Sequence, residues 1–255
     1  VTILGSTTDE RPALRPDAVY AALREAIIGL HHLPGSTLTE LSVCSTYQVA
    51  RPTARVAIQR LVDDGLLRRD AHRSARVPEL TSVDVHDLYG VRVGIEEAAL
   101  RAIASSGAPH AQALEIHARF SSSAFSVDQA PFVKDDIAFH RALVVASGSS
   151  RLRRMHELIM GEIELCMGQL QHHHLMSART VADEHQGILD AVAIGDVELT
   201  AALVRAHILS ARNRLLARFA SLDERTPGAG RLSAASVGPA GSSPVTSVGP
   251  AAPLA

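Results

Sequence analysis

Between Pro34 and Pro78 the chain reads PGSTLTELSVCSTYQVARPTARVAIQRLVDDGLLRRDAHRSARVP, and this stretch constrains the fold more than any other. Thr37–Tyr47 reads as a short helix, with Thr37 or Thr39 as its cap. Pro52 suits the first turn of the next helix, where its missing N–H costs nothing. That helix should run to about Asp64 and stop at Gly65. LLRRDAHRSARV then alternates well enough for two short strands with a tip of four or five residues. Upstream, Asp17 can cap a helix whose apolar positions Val19, Leu23, Ile27 and Ile28 recur at helical spacing, and HHLPG ends it.

A short helix, a turn, an Arg-bearing helix and a hairpin make up the layout of a winged helix-turn-helix, a module that reads DNA, here expected over residues 13–80. Its second helix enters the major groove. Arg51, Thr53 and Arg55 lie on the first turn of that helix, and the two arginines share a face. His72, Arg73 and Arg76 sit where the wing would touch the neighbouring backbone or minor groove. The competing reading is a helix with two solvated arginines. Net charge of the whole chain is −2 and does not advertise nucleic-acid binding, but Arg11–Pro78 has ten Arg against six acids. Glu79–Ser221 has thirteen Lys and Arg against seventeen acids, so a basic front precedes an acidic body.

The rest of the chain changes character. Hydrophobic residues are 46% but aromatics only 3%, so a core must be built from Ala, Leu, Ile and Val, which favours helix. Amphipathic helices are expected near 83–105, 109–122, 129–147, 149–173, 178–194 and 196–220. The fold class is therefore mostly α: a winged helix-turn-helix with a small β-hairpin wing, then an all-α antiparallel helical bundle over 82–220. Residues 1–12 should be a flexible N-terminus. Residues 222–255, rich in Gly, Pro, Ser and Ala, should be a disordered tail. Cys44 and Cys166 give no disulfide framework, no apolar run reaches membrane length, and no signal peptide opens the chain, so the expected location is cytoplasmic with no membrane partner.

Chemistry concentrates in the bundle. Asp136 and His140 are four apart and share a helical face with Phe132, Ile137, Leu143 and Val144, so the pair points inward. A buried Asp–His pair needs a mutual hydrogen bond or a metal. His185 falls early in one helix and His207 late in the next, and the Ile194-Gly195-Asp196 turn between them brings the two level. Three His and one Asp would suit Zn, Ni or Mn. Buried histidines that satisfy one another remain the alternative. His172–His174 point in three directions and cannot converge on one metal, and His31, His32, His110 and His117 read as loop or surface residues.

The segment from Pro34 to Val77 resembles the N-terminal domain of the GntR superfamily of bacterial transcription regulators. The matching positions are Pro34-Gly35, Leu38, Glu40, Val49-Ala50-Arg51, Arg55-Val56-Ala57-Ile58, Leu61 and Gly65-Leu66, kept without insertion. Gln48 stands where a turn Gly is usual, Ala50 where a capping Ser is usual, and Ser74 where a wing Gly is usual. The second half resembles the FCD ligand-binding domain of the FadR branch. Arg92–Glu96, DIAFHRALVVASGS, EHQGILDAVAIGD and the closing Arg-Ala-His carry the match, with Ser149 in place of a common Asn. The resemblance covers about residues 15–218. It implies a metal held by Asp136, His140, His185 and His207, and a small organic acid whose carboxylate meets the metal. Arg92 is the candidate second contact, with Tyr89 and Asn213 beside it.

The expected function is a metabolite-responsive transcription regulator, a repressor working as a homodimer on a palindromic double-stranded operator. Two rivals share its residues. One is a metal-dependent hydrolase-like enzyme, in which the metal activates water; Glu184 is the nearest further carboxylate. The other is a pure metal sensor.

Overall fold

The structure, a computed structural model, describes residues 15–71, 73–108, 110–123, 131–169 and 177–225. The expected flexible N-terminus, His72, His172–His174 and the tail from residue 226 lie outside the described residues, as does the side chain of Phe132. The mostly helical fold with an N-terminal winged module is what the structure shows. Among the described residues it has α1 Pro16–Ile28, β1 Thr37–Leu38, α2 Glu40–Tyr47, α3 Arg51–Asp63, β2 Ala75–Arg76 and α4 Ser82–Ser106. Then follow α5 Ala111–Ser123, α6 Pro131–Ala146, α7 Ser150–Gln169, α8 Ala178–Ala193 and α9 Val197–Arg225.

In the N-terminal module, Val19, Leu23 and Ile27 of α1 pack against Ala54, Ala57, Ile58 and Leu61 of α3. Asp17 does not cap α1. Arg15 holds the cap position with Pro16 after it, and Asp17 in the first turn pairs instead with Arg60. Thr39, not Thr37, caps α2, accepting from the Ser42 N–H in a reciprocal capping box. Thr37 and Leu38 are therefore strand. They pair antiparallel with β2, Thr37 opposite Arg76 and Leu38 opposite Ala75. Among the described residues the expected two-stranded hairpin shrinks to one bridge, Arg68 with Arg76, and the other edge of β2 pairs with β1. Gln48 ends α2 at φ 52°, so a side chain sits where the backbone is left-handed. Ala50 leaves α3 without a side-chain cap.

In the bundle, α4 packs along α9, α7 and α6, and α5 closes against α6 and α8. Thr81 and Asp84 form the capping box that starts α4. α9 runs to Arg225, beyond the expected end at 220, because Leu222 still packs against the core. One apolar core runs from α1 through the bundle.

Candidate DNA interface and metal centre

The first turn of α3 projects two arginines that are held, not free. Arg51 Nε donates to Glu40 Oε2 at 2.9 Å, and Arg55 Nε donates to Glu40 Oε1 at 2.8 Å. The Arg55 hydrogen bond leads in holding the Glu40 carboxyl below its usual range. This clamp uses the Nε edges and leaves most of the terminal nitrogens for base edges or phosphate. Arg51 and Arg55 line a groove of about 390 Å³ with Thr39, Glu40, Arg69 and Arg73. Arg73 and Arg76 line a second, adjoining depression near the wing. Thr53 sits half-buried on α3 between the arginines.

Four residues from three helices converge inside the bundle. Asp136 and His140 come from α6, His185 from α8 and His207 from α9, all buried. Their donor atoms all lie within 4.8 Å of one another. His185 Nε2 is 3.3 Å and His140 Nε2 3.8 Å from Asp136 Oδ1. His140 Nε2 and His207 Nε2 are 3.1 Å apart. Phe139 stacks on His185 with ring centres 4.0 Å apart.

The neighbours decide which nitrogens are free. His140 Nδ1 donates to Glu96 Oε2 at 2.6 Å, and His207 Nδ1 donates to Glu184 Oε2 at 2.6 Å. Burial works against the Glu96 charge, but Arg92 first and then His140 hold its carboxyl well below the usual range. Burial works against Glu184 too, and the bond from His207 keeps its pKa low. Both carboxylates can then only accept, so both rings carry their proton on Nδ1. Their Nε2 lone pairs face each other. Burial also pushes the His140 pKa down, so the ring resists a second proton. A shared proton would satisfy that one contact, but among the described residues His185 would still have no hydrogen-bond partner at Nδ1 and only Asp136 Oδ1, 3.3 Å away, at Nε2. A divalent cation would take all four donors at once. The residues fit such an ion.

A second set of unsatisfied groups adjoins this one. Arg92 Nε donates to Glu96 Oε1 at 2.6 Å, yet its Nη2 is buried without a hydrogen-bond partner among the described residues. The Tyr89 hydroxyl, fully buried, also lacks one, and burial raises its pKa. Burial opposes the Arg92 charge as well, and Glu96, Tyr89 and Asp136 together hold its pKa above the usual value. Asn213 is not brought to this place. It lies on the exposed face of α9 and accepts from Arg212, because a step of six residues from His207 turns about 240° round the helix. Arg214, seven residues on, returns to the His207 face. Its Nε and Nη2 are buried with no hydrogen-bond partner among the described residues. Helical spacing from His207 would have found it. His117 also departs from its expected surface place: it is buried in α5, with Nε2 3.0 Å from Gln186 Oε1.

A winged helix-turn-helix joined to a helical domain defines a class, the DNA-binding transcription regulator. The chain belongs to the GntR family of bacterial regulatory proteins, matched over residues 16–77, and carries an FCD domain over residues 87–210. The HTH-type transcriptional regulator BphR of Paraburkholderia xenovorans is 28% identical over 207 residues, covering 76% of this chain and 82% of the relative. YdhC of Bacillus subtilis, another HTH-type regulator, is 25% identical, covering 74% of this chain and 85% of that one. A solved GntR-type protein from Rhodococcus sp. RHA1 superposes with a TM-score of 0.66 at 25% identity, over 79% of this chain and 97% of that one. These are transcription regulators, not enzymes, which removes the hydrolase reading. No helix among the described residues is long and apolar enough to cross a membrane.

Proposed function

We propose that this chain represses transcription as a homodimer on a palindromic operator, and that a divalent metal with a small organic acid controls it. Arg51, Thr53, Arg55, His72, Arg73 and Arg76 would contact DNA. Asp136, His140, His185 and His207 would hold Zn, Ni or Mn. The metal would supply a fixed positive charge for a carboxylate. Glu96 and Glu184 keep two of the ligand imidazoles in the tautomer that leaves Nε2 free.

The observation that carries the reading is the convergence of four buried donor atoms within 4.8 Å of one another, His140 Nε2 and His207 Nε2 among them 3.1 Å apart, which suits a cation. Against a metal sensor alone, Arg92 Nη2 and the Tyr89 hydroxyl are buried with no hydrogen-bond partner among the described residues, and these support an acid as co-ligand. Arg214, whose charge helps to hold the Glu184 pKa low, adds a further buried guanidinium edge. Repression is supported by a 24% identical relative from Paenarthrobacter nicotinovorans described as a D-xylose utilization operon repressor. A dimer follows from the need of two recognition helices for two half-sites.

The test is elemental analysis of the purified protein, then thermal melts with Zn2+, Ni2+ or Mn2+ and with carboxylic acids added to the metal-loaded form. Bound metal should raise the melting temperature, and a cognate acid should raise it further. Protein that neither contains metal nor gains stability from it would end the reading.

A further inference from the structure

The DNA module rests on one face of α7. Gly161 and Gly168 lie two turns apart on that helix. A methyl group at Gly161 would run into the carbonyl oxygen of Asp64, which ends α3. A methyl group at Gly168 would lie 2.7 Å from the carbonyl oxygen of Ile28, which ends α1. The backbone of the module therefore sits on the backbone of α7, with no side chain between them. Polar contacts surround this seat. Arg24 of α1 pairs with buried Glu164. Arg68 reaches Glu162 at 3.2 Å, and Gln169 Nε2 donates to the Pro78 carbonyl at 2.9 Å. Tyr20 donates to Asp64 Oδ2 at 2.5 Å, which fixes Asp64 from within its own module.

The same helix reaches the polar cluster. His156, buried and five residues before Gly161, places Nε2 3.3 Å from Glu96 Oε1. The other oxygen of that carboxylate holds His140, and Oε1 also holds Arg92. Glu96 thus joins a candidate metal ligand, a candidate acid-binding arginine and α7.

We propose that α7 sets the placement of the DNA module in response to the metal and acid site, with Gly161 as the seat and His156 as the link. The regulatory half rests on the metal reading above. The docking half rests on the glycine contacts alone. A close-packed backbone contact has no compliant side chain to absorb movement, so a shift of His156 along or about α7 moves the seat with it.

Gly161→Ala tests this in the full chain. Alanine favours helix over glycine by roughly 1 kcal/mol, so α7 and the bundle keep their fold and only the contact with Asp64 is lost. Gly90→Ala is the control, since a methyl group there meets nothing within 4 Å. Amide hydrogen exchange is read at the ends of α1 and α3. Gly161→Ala should speed it roughly tenfold or more there, and Gly90→Ala should not. Operator affinity is then measured with and without Zn2+, on a duplex selected by the wild-type chain from random DNA. Gly161→Ala should bind Zn2+ as the wild type does but lose the Zn2+ effect on DNA binding. His156→Phe should keep the slow exchange and lose the same effect. Unchanged exchange in Gly161→Ala would overturn the docking seat. A full Zn2+ effect on DNA binding in both variants would overturn the route through α7. If Zn2+ binds no version of the protein, the metal reading has failed, and the exchange comparison still decides the seat.

Discussion

Replacing Glu184 by Gln tests the metal site without touching a ligand. Glu184 Oε2 accepts the Nδ1 proton of His207 at 2.6 Å and leaves Nε2 as the ligand atom. Glutamine keeps an acceptor there and nearly the same shape, but removes the charge that makes the imidazole a better donor to a cation. Loss of such support commonly lowers metal affinity about 10- to 100-fold. The Glu184 side chain is 29% exposed, so water screens part of its charge. The expected loss is therefore near the lower bound, about tenfold or ~1.4 kcal/mol. Glu96→Gln makes the same change in a fully buried carboxylate that also holds Arg92 and His156, so its loss should lie near a hundredfold. His207→Ala, which removes a ligand, should exceed both. The assay is competition for Zn2+ against a chromophoric chelator. Unchanged affinity in Glu184→Gln, or a loss equal to that of His207→Ala, would refute the reasoning.

Four further outcomes follow from local geometry. Arg51→Ala or Arg55→Ala should each weaken operator binding by about 1–3 kcal/mol in a gel-shift titration, with the melting temperature unchanged. Gln48→Gly should relieve the left-handed turn and stabilise the fold by roughly 1 kcal/mol, a rise of about 2–4 °C in a thermal melt; a fall would show the turn is not strained. Ending the chain after Ser221 should lower the melting temperature, because Leu222 is lost from the core, whereas ending it after Arg225 should not. Burial pushes the Cys166 thiol up to about 12, so at pH 8 a thiol reagent should label half-buried Cys44 in the native protein and reach Cys166 only after unfolding.

Much of this was legible because helical spacing is rigid. The spacing of four from Asp136 to His140 fixes one face, and the turn at Gly195 (φ 72°) levels His185 with His207. The register from Pro34 to Val77 likewise placed Arg51 and Arg55 on the first turn of α3. What sequence spacing alone missed is long-range. Nothing in it says that Glu96 reaches both His140 and His156, across 44 and 60 residues. The pairing of Thr37–Leu38 with Ala75–Arg76 is likewise non-local, and helix propensity at Thr37 gave way to it. Asn213 failed for the opposite reason. Local helical arithmetic already turns it away from His207 and brings Arg214 round instead.

The cluster also explains why a bundle rich in small aliphatics keeps so much polarity at its centre. Arg92, Glu96, Asp136, His140, His156, His185 and His207 are all buried. A buried charged network is weak support for a fold, because desolvation consumes most of the attraction, and well-packed apolar residues often serve stability as well or better. Folding alone would therefore not select this arrangement. Among the described residues it also leaves His185, one edge of Arg92 and the Tyr89 hydroxyl short of hydrogen bonds, each a further cost. Those costs are offset when something that binds the folded state alone satisfies the same atoms. The free energy gained there depends on how closely the helices hold their donors. Any ligand that satisfies them therefore also stiffens α6, α8 and α9 around α4. Of the buried groups at that centre, Glu96 passes this constraint directly to α7, the helix on which the DNA module rests.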